Sequence, residues 1–488
     1  MSIWLSALFL AVLAAAIEFD GAPGISWPLW TIPAALALHY YARQSRPEAA
    51  REIIVPLALA VLISAGGAVT TSDPLHFFIV VASVLLFAYA ARIAAGAPVA
   101  HAGAGFIAAS PVIGAFASAH ESWDRVGEAA HGANADRAMP AVRGVLIATP
   151  IIVVLWILLA QADPSLFSWG DAIATAIREL SFVPRLLFGL FIGVLSLGTF
   201  GLAVRGIDVV PASRVPRPAP RVSATERIII LGAVVALFAT FFVLQLPVMF
   251  GNPAAAAGSG VTYADWVHRG FGELTTAATL VTLLIVVLDV MAARGTETQE
   301  RIARALAYTL LGLTAFVVLS AFRRITLYES AYGYTMQRLW SQMFMVCVWI
   351  ALALTALEIA RGLDARRLAR RGAVVGSLAL ATLIYWNTGA FIVRENVARY
   401  AQTGKLDSWY LASGLSLDAL PAVLEARSSL PQSLDDSLTA LVRTRAGCTR
   451  ALRPGAWYEY NVRRWEAIRV AGGQQLLSAP GKSCYSRD

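Results

Sequence analysis

Residues Arg205 to Phe250 read RGIDVVPASRVPRPAPRVSATERIIILGAVVALFATFFVLQLPVMF. The first half carries five arginines and four prolines, and from Ile228 onward come 23 residues without a charged side chain. A helix of that length crosses about 30 Å of hydrocarbon, and in lipid only a helix or a closed barrel satisfies its own backbone amides. The run lacks the alternation of a barrel strand, so it reads as a transmembrane helix behind a basic loop.

Ten further runs share this make-up: Ile3 to Phe19, Ile25 to Ala42, Ile53 to Val69, Leu75 to Ala95, Gly144 to Ala162, Leu186 to Val204, Phe271 to Ala292, Ala303 to Phe322, Gln337 to Leu357 and Gly372 to Phe391. The expected fold class is therefore all-α: a polytopic transmembrane helix bundle of about 11 spans with a small helical extramembrane tail. Lys and Arg number 20 in the even connections (43–52, 92–143, 205–227, 293–304, 358–371) and 6 in the odd ones when Arg338, at the start of the Gln337 run, is counted with them. Basic loops stay in the cytoplasm, which predicts even loops and N-terminus inside and the tail outside. Arg394, Arg399 and Lys405, close behind the last span, run against that orientation, although long segments translocate largely regardless of charge.

Of the 488 residues, 58% are hydrophobic and 14% charged, against about a quarter charged in soluble domains. That excludes an ordinary soluble globule. The formal net charge of +8 is dispersed over loops at both faces, so the expected partners include membrane lipids and no nucleic acid. The first span has small residues at Ala14 to Ala16 but no Lys or Arg before its apolar stretch, which favours an uncleaved anchor over a signal peptide.

Four regions follow: a six-span membrane region at 1–204, a stiff Pro/Arg-rich linker at 205–227, a five-span region at 228–391 and a helical tail at 392–488. Between the fourth and fifth spans, Pro98 to His120 is only mildly apolar and suits an interfacial or re-entrant segment. In the tail, Ser433 and Asp436 resemble a capping box, and Leu434, Leu438, Leu441 and Val442 share one helix face. Cys347 lies in a span. Cys448 and Cys484 in the tail are either a disulfide, worth about 4 kcal/mol by chain entropy, or two thiols.

Catalytic signatures are missing. Gly481, Lys482 and Ser483 lack the glycine that would begin a phosphate loop, and the six histidines have no metal spacing, so no cofactor or metal is expected. Asp289 lies towards a helix end, while Gln342 and Asn387 are uncharged; the spans thus lack the mid-depth ionisable group of an ion-coupled pump. Gly189 with Gly193, and Gly372 with Gly376, mark close helix contacts.

Polar residues concentrate instead at the expected outer face. One segment, TYADWVHRGFGE from Thr262, supplies Asp265, Arg269 and Glu273; another, RRITLYESAYGYTMQR from Arg323, supplies Arg323, Arg324, Tyr328 and Glu329. The third, NTGAFIVRENVARY from Asn387, supplies Asn387, Arg394, Glu395, Asn396 and Arg399, with Glu395 spaced to pair with Arg399. Two readings stand. These are interfacial anchors with local ion pairs, or they form a mixed-charge surface, roofed by the tail, for a polar ligand, a headgroup or a partner protein.

FDGAPGIS at Phe19, ADPSLFSW at Ala162, TYADWVHRGFGEL, RITLYESAYGYT, NTGAFIVRENVARY, KLDSWYLASGLSLDALPAVLE at Lys405 and WYEYNVRRWEA at Trp457 together resemble a known family. It is that of the bacterial polytopic membrane proteins catalogued as domain of unknown function forty-one seventy-three. The resemblance implies a bacterial inner-membrane location and many spans, and brings no established reaction. The chain departs from the family's Asn-Pro-Asp at Asn387, Thr388 and Gly389, and from its Ala-Arg-Tyr-Asn at Val393 to Asn396. The functional expectation is a non-enzymatic inner-membrane protein whose outer face recognises an envelope component or partner. The alternatives are a small-solute transporter and a lipid- or glycan-modifying enzyme using Glu273, Glu329 or Glu395. Oligomeric state is not legible in the chain.

Overall fold

The computed structural model describes residues 2–19, 21–98, 103–129, 182–206, 221–250, 263–448 and 455–473, without the side chains of 129, 247–250, 263–271 and 443–448. Among these residues the fold is helical, and the one β feature is an isolated bridge between Val222 and Ala292. The expected Gly144 to Ala162 span, the Cys484 thiol and the side chains of Cys448, Asp265 and Arg269 lie outside the described residues.

A front bundle comprises α1 (Ile3–Ile17), α2 (Ser26–Ser45), α3 (Pro47–Glu52), α4 (Ile54–Ser64), α5 (Asp73–Ala94), α6 (Ala104–Ala129) and α7 (Val183–Arg205). A back bundle comprises α8 (Ala224–Phe250), α9 (Tyr263–Met291), α10 (Glu297–Tyr332) and α11 (Met336–Ala360). Between them α12 (Ala365–Tyr385) packs on α4 and α11. Leu10, Leu38, Tyr41 and Phe200 form the front core; Leu231, Ile285, Leu310 and Met345 form the back one. Ile63, Ile79 and Ile384 weld α12 to α4 and α5.

Eight described helices are long and apolar enough to cross a membrane. Their outward faces leave Leu237, Leu244, Leu280 and Leu283 exposed, a belt that water would not tolerate and acyl chains cover. The chain is thus a multi-pass membrane protein. Connections alternate between two ends. One, the arginine end, gathers Arg46, Arg92, Arg205, Arg227, Arg367 and Arg371; the other gathers the 18–26, 65–73 and 330–336 turns beneath the tail.

Helix α6 enters and leaves by the same end. Phe106 near its start lies under the Arg92 guanidinium, 3.8 Å away, and Glu128 at its finish accepts from Arg205 at 2.7 Å. Both arginines terminate spans, so the two ends of α6 lie at the arginine end. It meets α7 at Gly198, where a Cβ would stand 1.7 Å from the Ser118 carbonyl oxygen. The Gly189 and Gly193 pair packs against Ala11 and Ala15 of α1, whereas Gly372 and Gly376 have nothing within 4 Å of a built Cβ and hold no close contact.

The last expected run, Gly372 to Phe391, is broken. α12 stops at Tyr385, and Asn387 accepts from the Ala390 amide at 2.9 Å to start α13 (Thr388–Thr403). From there the tail forms a roof with α14 (Leu420–Ala426), α15 (Gln432–Cys448) and α16 (Val462–Gly473). Its core of Ile392, Val393, Leu411, Val423, Leu438, Val442 and Ala467 continues into Leu339 of α11, so the membrane bundle supplies part of the packing. Ser433 stands inside α15, one residue past its start, and its carbonyl accepts from the Ser437 hydroxyl; it is no N-cap, since Pro431 already begins the turn.

Candidate functional site

One carboxylate fastens the roof to the bundle. Asp418, 4% exposed, accepts from Thr70 Oγ1 at 2.7 Å, Thr71 N at 2.8 Å, Thr71 Oγ1 at 2.6 Å and Arg463 Nη1 at 3.1 Å. Arg463 also donates to the Tyr385 carbonyl at 2.8 Å, and Asn387 Nδ2 to the Asp418 carbonyl at 2.9 Å. Two segments that end or link spans, 70–71 and 385–387, are thereby joined to the roof, chiefly by charge-assisted bonds. Asn461, fully buried, adds bonds of 2.8 Å to the Gly67 and Thr70 carbonyls and turns its Oδ1 to the Arg464 amide.

Beside this anchor, under the roof's edge, opens a cleft of about 1130 Å³. Its walls are the start of α5 (Asp73, His76), the middle of α9 (Gly272, Thr276) and one face of α11 (Met336, Trp340, Phe344); Ser416 and Arg464 reach it from the roof. Three of these side chains have buried atoms with no hydrogen-bond partner: Trp340 Nε1, Ser416 Oγ and Arg464 Nε. Arg464 is 8% exposed. Its terminal nitrogens donate to the Glu459 and Pro23 carbonyls at 3.2 and 3.4 Å, and among the described residues no carboxylate lies within ion-pair distance. Burial pulls its guanidinium below the ordinary value, yet an arginine keeps its proton. A buried cation near the Glu459 charge but, among the described residues, without a carboxylate at ion-pair distance, beside unmet donors, is an arrangement that an acceptor-bearing ligand would satisfy. His76, the imidazole on this wall, has Nε2 2.8 Å from the Thr70 carbonyl, which can only accept, so that nitrogen carries a proton.

The mouth residues singled out in the sequence are distributed differently. Arg399 donates to the carbonyls of Ser330, Ala331 and Lys405, and among the described residues makes no ion pair with Glu395: the carbonyls ending α10 are nearer and otherwise unmet. Asn396 closes a ring with the Tyr334 amide and carbonyl, at 2.8 and 2.9 Å. Glu329 accepts from Gln342 at 2.6 Å, and Arg324 donates to Gln245 at 2.9 Å within the back bundle. Tyr328 lies under the Arg338 guanidinium at 4.1 Å and against Tyr332 at 4.7 Å. Arg323 and Glu395 are half-buried, and Arg394 and Glu273 are exposed. The structure thus brings Tyr328, Glu329, Asn396 and Arg399 together around the 330–338 turn as a structural knot. Asn387 sits apart, beside Asp418, and Glu273 joins neither group.

Sequence reasoning missed Asp418, Asn461, Arg463, Arg464, Trp340 and Ser416. Five of them fall in the two tail segments quoted above, KLDSWYLASGLSLDAL and WYEYNVRRWEA, where a carboxylate, a hydroxyl, an amide and paired arginines interrupt apolar helix faces. No group of three or more His, Cys, Asp or Glu able to hold a metal occurs among the described residues.

No protein of curated function matches this chain, and no solved structure does. A family does match, over residues 57–426, from α4 through the roof's α14. Its number is forty-one fifty-three, and with more than half of the sequence inside the match the chain belongs to the family described as domain of unknown function (DUF4153).

Proposed function

We propose that this protein is a non-enzymatic component of a bacterial inner membrane that recognises an envelope component in the cleft beneath its roof. In this reading the arginine end faces the cytoplasm and the roof faces outward, in keeping with the retention of basic loops. The observation that carries it is Arg464: a buried cation on the cleft wall whose Nε has no acceptor. Evolved interiors rarely keep such a group unless something satisfies it.

The two other functional classes draw less support. Among the described residues, the charged groups buried in the spans, Arg227, Asp289, Arg324, Glu329 and Glu358, lie near helix ends, so an ion-coupled path has no relay at mid-depth. For an enzyme, Glu273 is exposed and Glu329 is engaged by Gln342, while Asp73, the carboxylate on the cleft, points wholly into solvent.

A photo-crosslinking side chain at Ser341, on the cleft wall, tests the reading in native membranes. The expected result is an adduct of discrete mass that weakens when Arg464→Gln is added. An adduct whose yield is unchanged by Arg464→Gln would end the proposal. An alkaline phosphatase fused behind the roof is expected to be active; inactivity there would reverse the orientation.

A further inference from the structure

The cleft differs from a soluble-ligand pocket in three ways. Met336, Trp340 and Phe344 follow one face of α11, so the cavity runs about two helical turns down from the roof towards the bilayer. At that depth its flanks are Phe77, Phe78 and Phe344, which are 63%, 44% and 51% exposed on membrane-spanning helices. There α5 meets α11 through the edge contact of Phe78 with Trp340 at 6.0 Å. The volume of about 1130 Å³ also exceeds the roughly 300–1,000 Å³ of drug-sized pockets.

The unmet atoms narrow the chemistry. Arg464 Nε and Trp340 Nε1 can only donate. A peptide or sugar would bring donors of its own needing acceptors. A phosphodiester brings acceptor oxygens, a negative charge and no donor, and it matches a guanidinium better than any neutral group.

We propose that the roofed cleft is a lateral binding site for a glycerophospholipid of the surrounding leaflet, with its phosphodiester against Arg464, Trp340 and Ser416 and its acyl chains leaving past Phe344. This rests on the reading of the cleft as the recognition site and names the class of component that fills it. The lipid enters sideways from the bilayer, so the roof need not open.

Native mass spectrometry of the full chain tests this, with three probes: dioleoyl phosphatidylglycerol, dioleoylglycerol, which lacks the phosphate, and glycerol 3-phosphate, which lacks the chains. Wild type is expected to retain one phosphatidylglycerol at collision energies that strip the annular lipids, and to bind the other two at least tenfold more weakly. Trp340→Phe, which removes only the indole N–H and keeps the ring, is expected to weaken retention about tenfold. Gly272→Phe is expected to abolish retention without lowering the melting temperature, because a Cβ at Gly272 has nothing within 4 Å and the ring projects into space at the cleft wall. Equal retention of dioleoylglycerol, or undiminished retention by Gly272→Phe, would overturn the lipid site. Glycerol 3-phosphate binding as tightly as the lipid would refute the lateral lipid while leaving an anion-recognition cleft. Failure of all three probes, with no effect of Trp340→Phe, would remove both readings.

Discussion

Removing the Asp418 carboxylate should release the roof while leaving the spans assembled. Asp418→Ala deletes the acceptor of four hydrogen bonds and leaves Arg463, 8% exposed, as a buried cation held only by the Tyr385 carbonyl. Breaking one side of a buried pair costs about 3–5 kcal/mol, mostly because the remaining charge stays desolvated. At about 1.4 kcal/mol per factor of ten, the open population of the roof rises roughly 10²- to 4 × 10³-fold. The loss is local because the roof's core, which takes in only Leu339 and Met336 of α11 among the described spans, is distinct from the cores of the two bundles.

Hydrogen exchange of the full chain in nanodiscs reads this directly, since amide protection reports the free energy of local opening. Amides around Ile392, Val393 and Ala467 should lose protection by that factor, while those around Leu310 and Leu38 keep theirs. Arg463→Ala alone should cost less, because Asp418 then retains its two threonines. The double variant should fall short of the sum of the single costs by about 0.5–3 kcal/mol, the usual range for residues in one network. Loss of less than tenfold in Asp418→Ala, equal loss in both bundles, or strict additivity would refute the reasoning.

Glu358, fully buried at the end of α11, accepts from Arg367 and Arg371, but these are 34% and 36% exposed and can turn to headgroups. Glu358→Gln is therefore expected to cost about 1–3 kcal/mol in a thermal melt, less than Asp418→Ala; the reverse order would contradict the argument from stranded charge. Gly198→Ala drives a Cβ into the Ser118 carbonyl oxygen and should destabilise by about 1–3 kcal/mol, whereas Gly376→Ala, with nothing within 4 Å, should be neutral or slightly stabilising. Equal abundance of the two variants in the membrane would count against the α6–α7 crossing. In the roof, Arg427 holds the Asp435 carboxyl below its ordinary value. That contribution is present above the unfolded carboxylate pKa of about 3.9 and is lost as pH falls through the lower folded value. Exchange around Leu438 should quicken in that acid window in wild type and show no such step in Asp435→Asn.

Much of this architecture is legible in the chain, because lipid imposes a one-dimensional rule: an uninterrupted apolar run must be a helix, and its ends must face water. The runs at Leu186, Ile228, Ala303 and Gln337 obey it and are helices. The rule fails where one run contains two helices, as at Asn387, whose side chain caps a new helix within an apolar sequence. It is silent on contacts between distant segments. Thr70 and Asp418 are 348 residues apart, Asn461 and Gly67 394. The mouth residues Asn396 and Arg399 were visible as polar groups at a helix end, but their partners are backbone carbonyls, which every residue possesses and no sequence pattern marks.

The two ends of the bundle handle charge in opposite ways, and this asymmetry argues for where recognition occurs. At the arginine end, the buried carboxylates Glu121, Asp289 and Glu358 each lie within ion-pair distance of two arginines, so those networks close on themselves. At the roof end, Asp418 and Arg463 likewise neutralise each other, but Arg464, the next residue in the chain, lines the cleft and keeps a buried Nε without a partner. The Asn461 side chain accepts from the Arg464 amide, so the residue that bonds the roof to the Gly67 and Thr70 carbonyls also fixes the backbone of the cleft's cation. Loosening the anchor should therefore weaken ligand retention without touching the cleft wall. Asn461→Ala is expected to lower phosphatidylglycerol retention at least as much as Trp340→Phe does. If Asn461→Ala frees the roof in hydrogen exchange yet leaves retention unchanged, docking of the roof and occupancy of the cleft are independent, and the coupling argued from the adjacency of residues 461 to 464 is wrong.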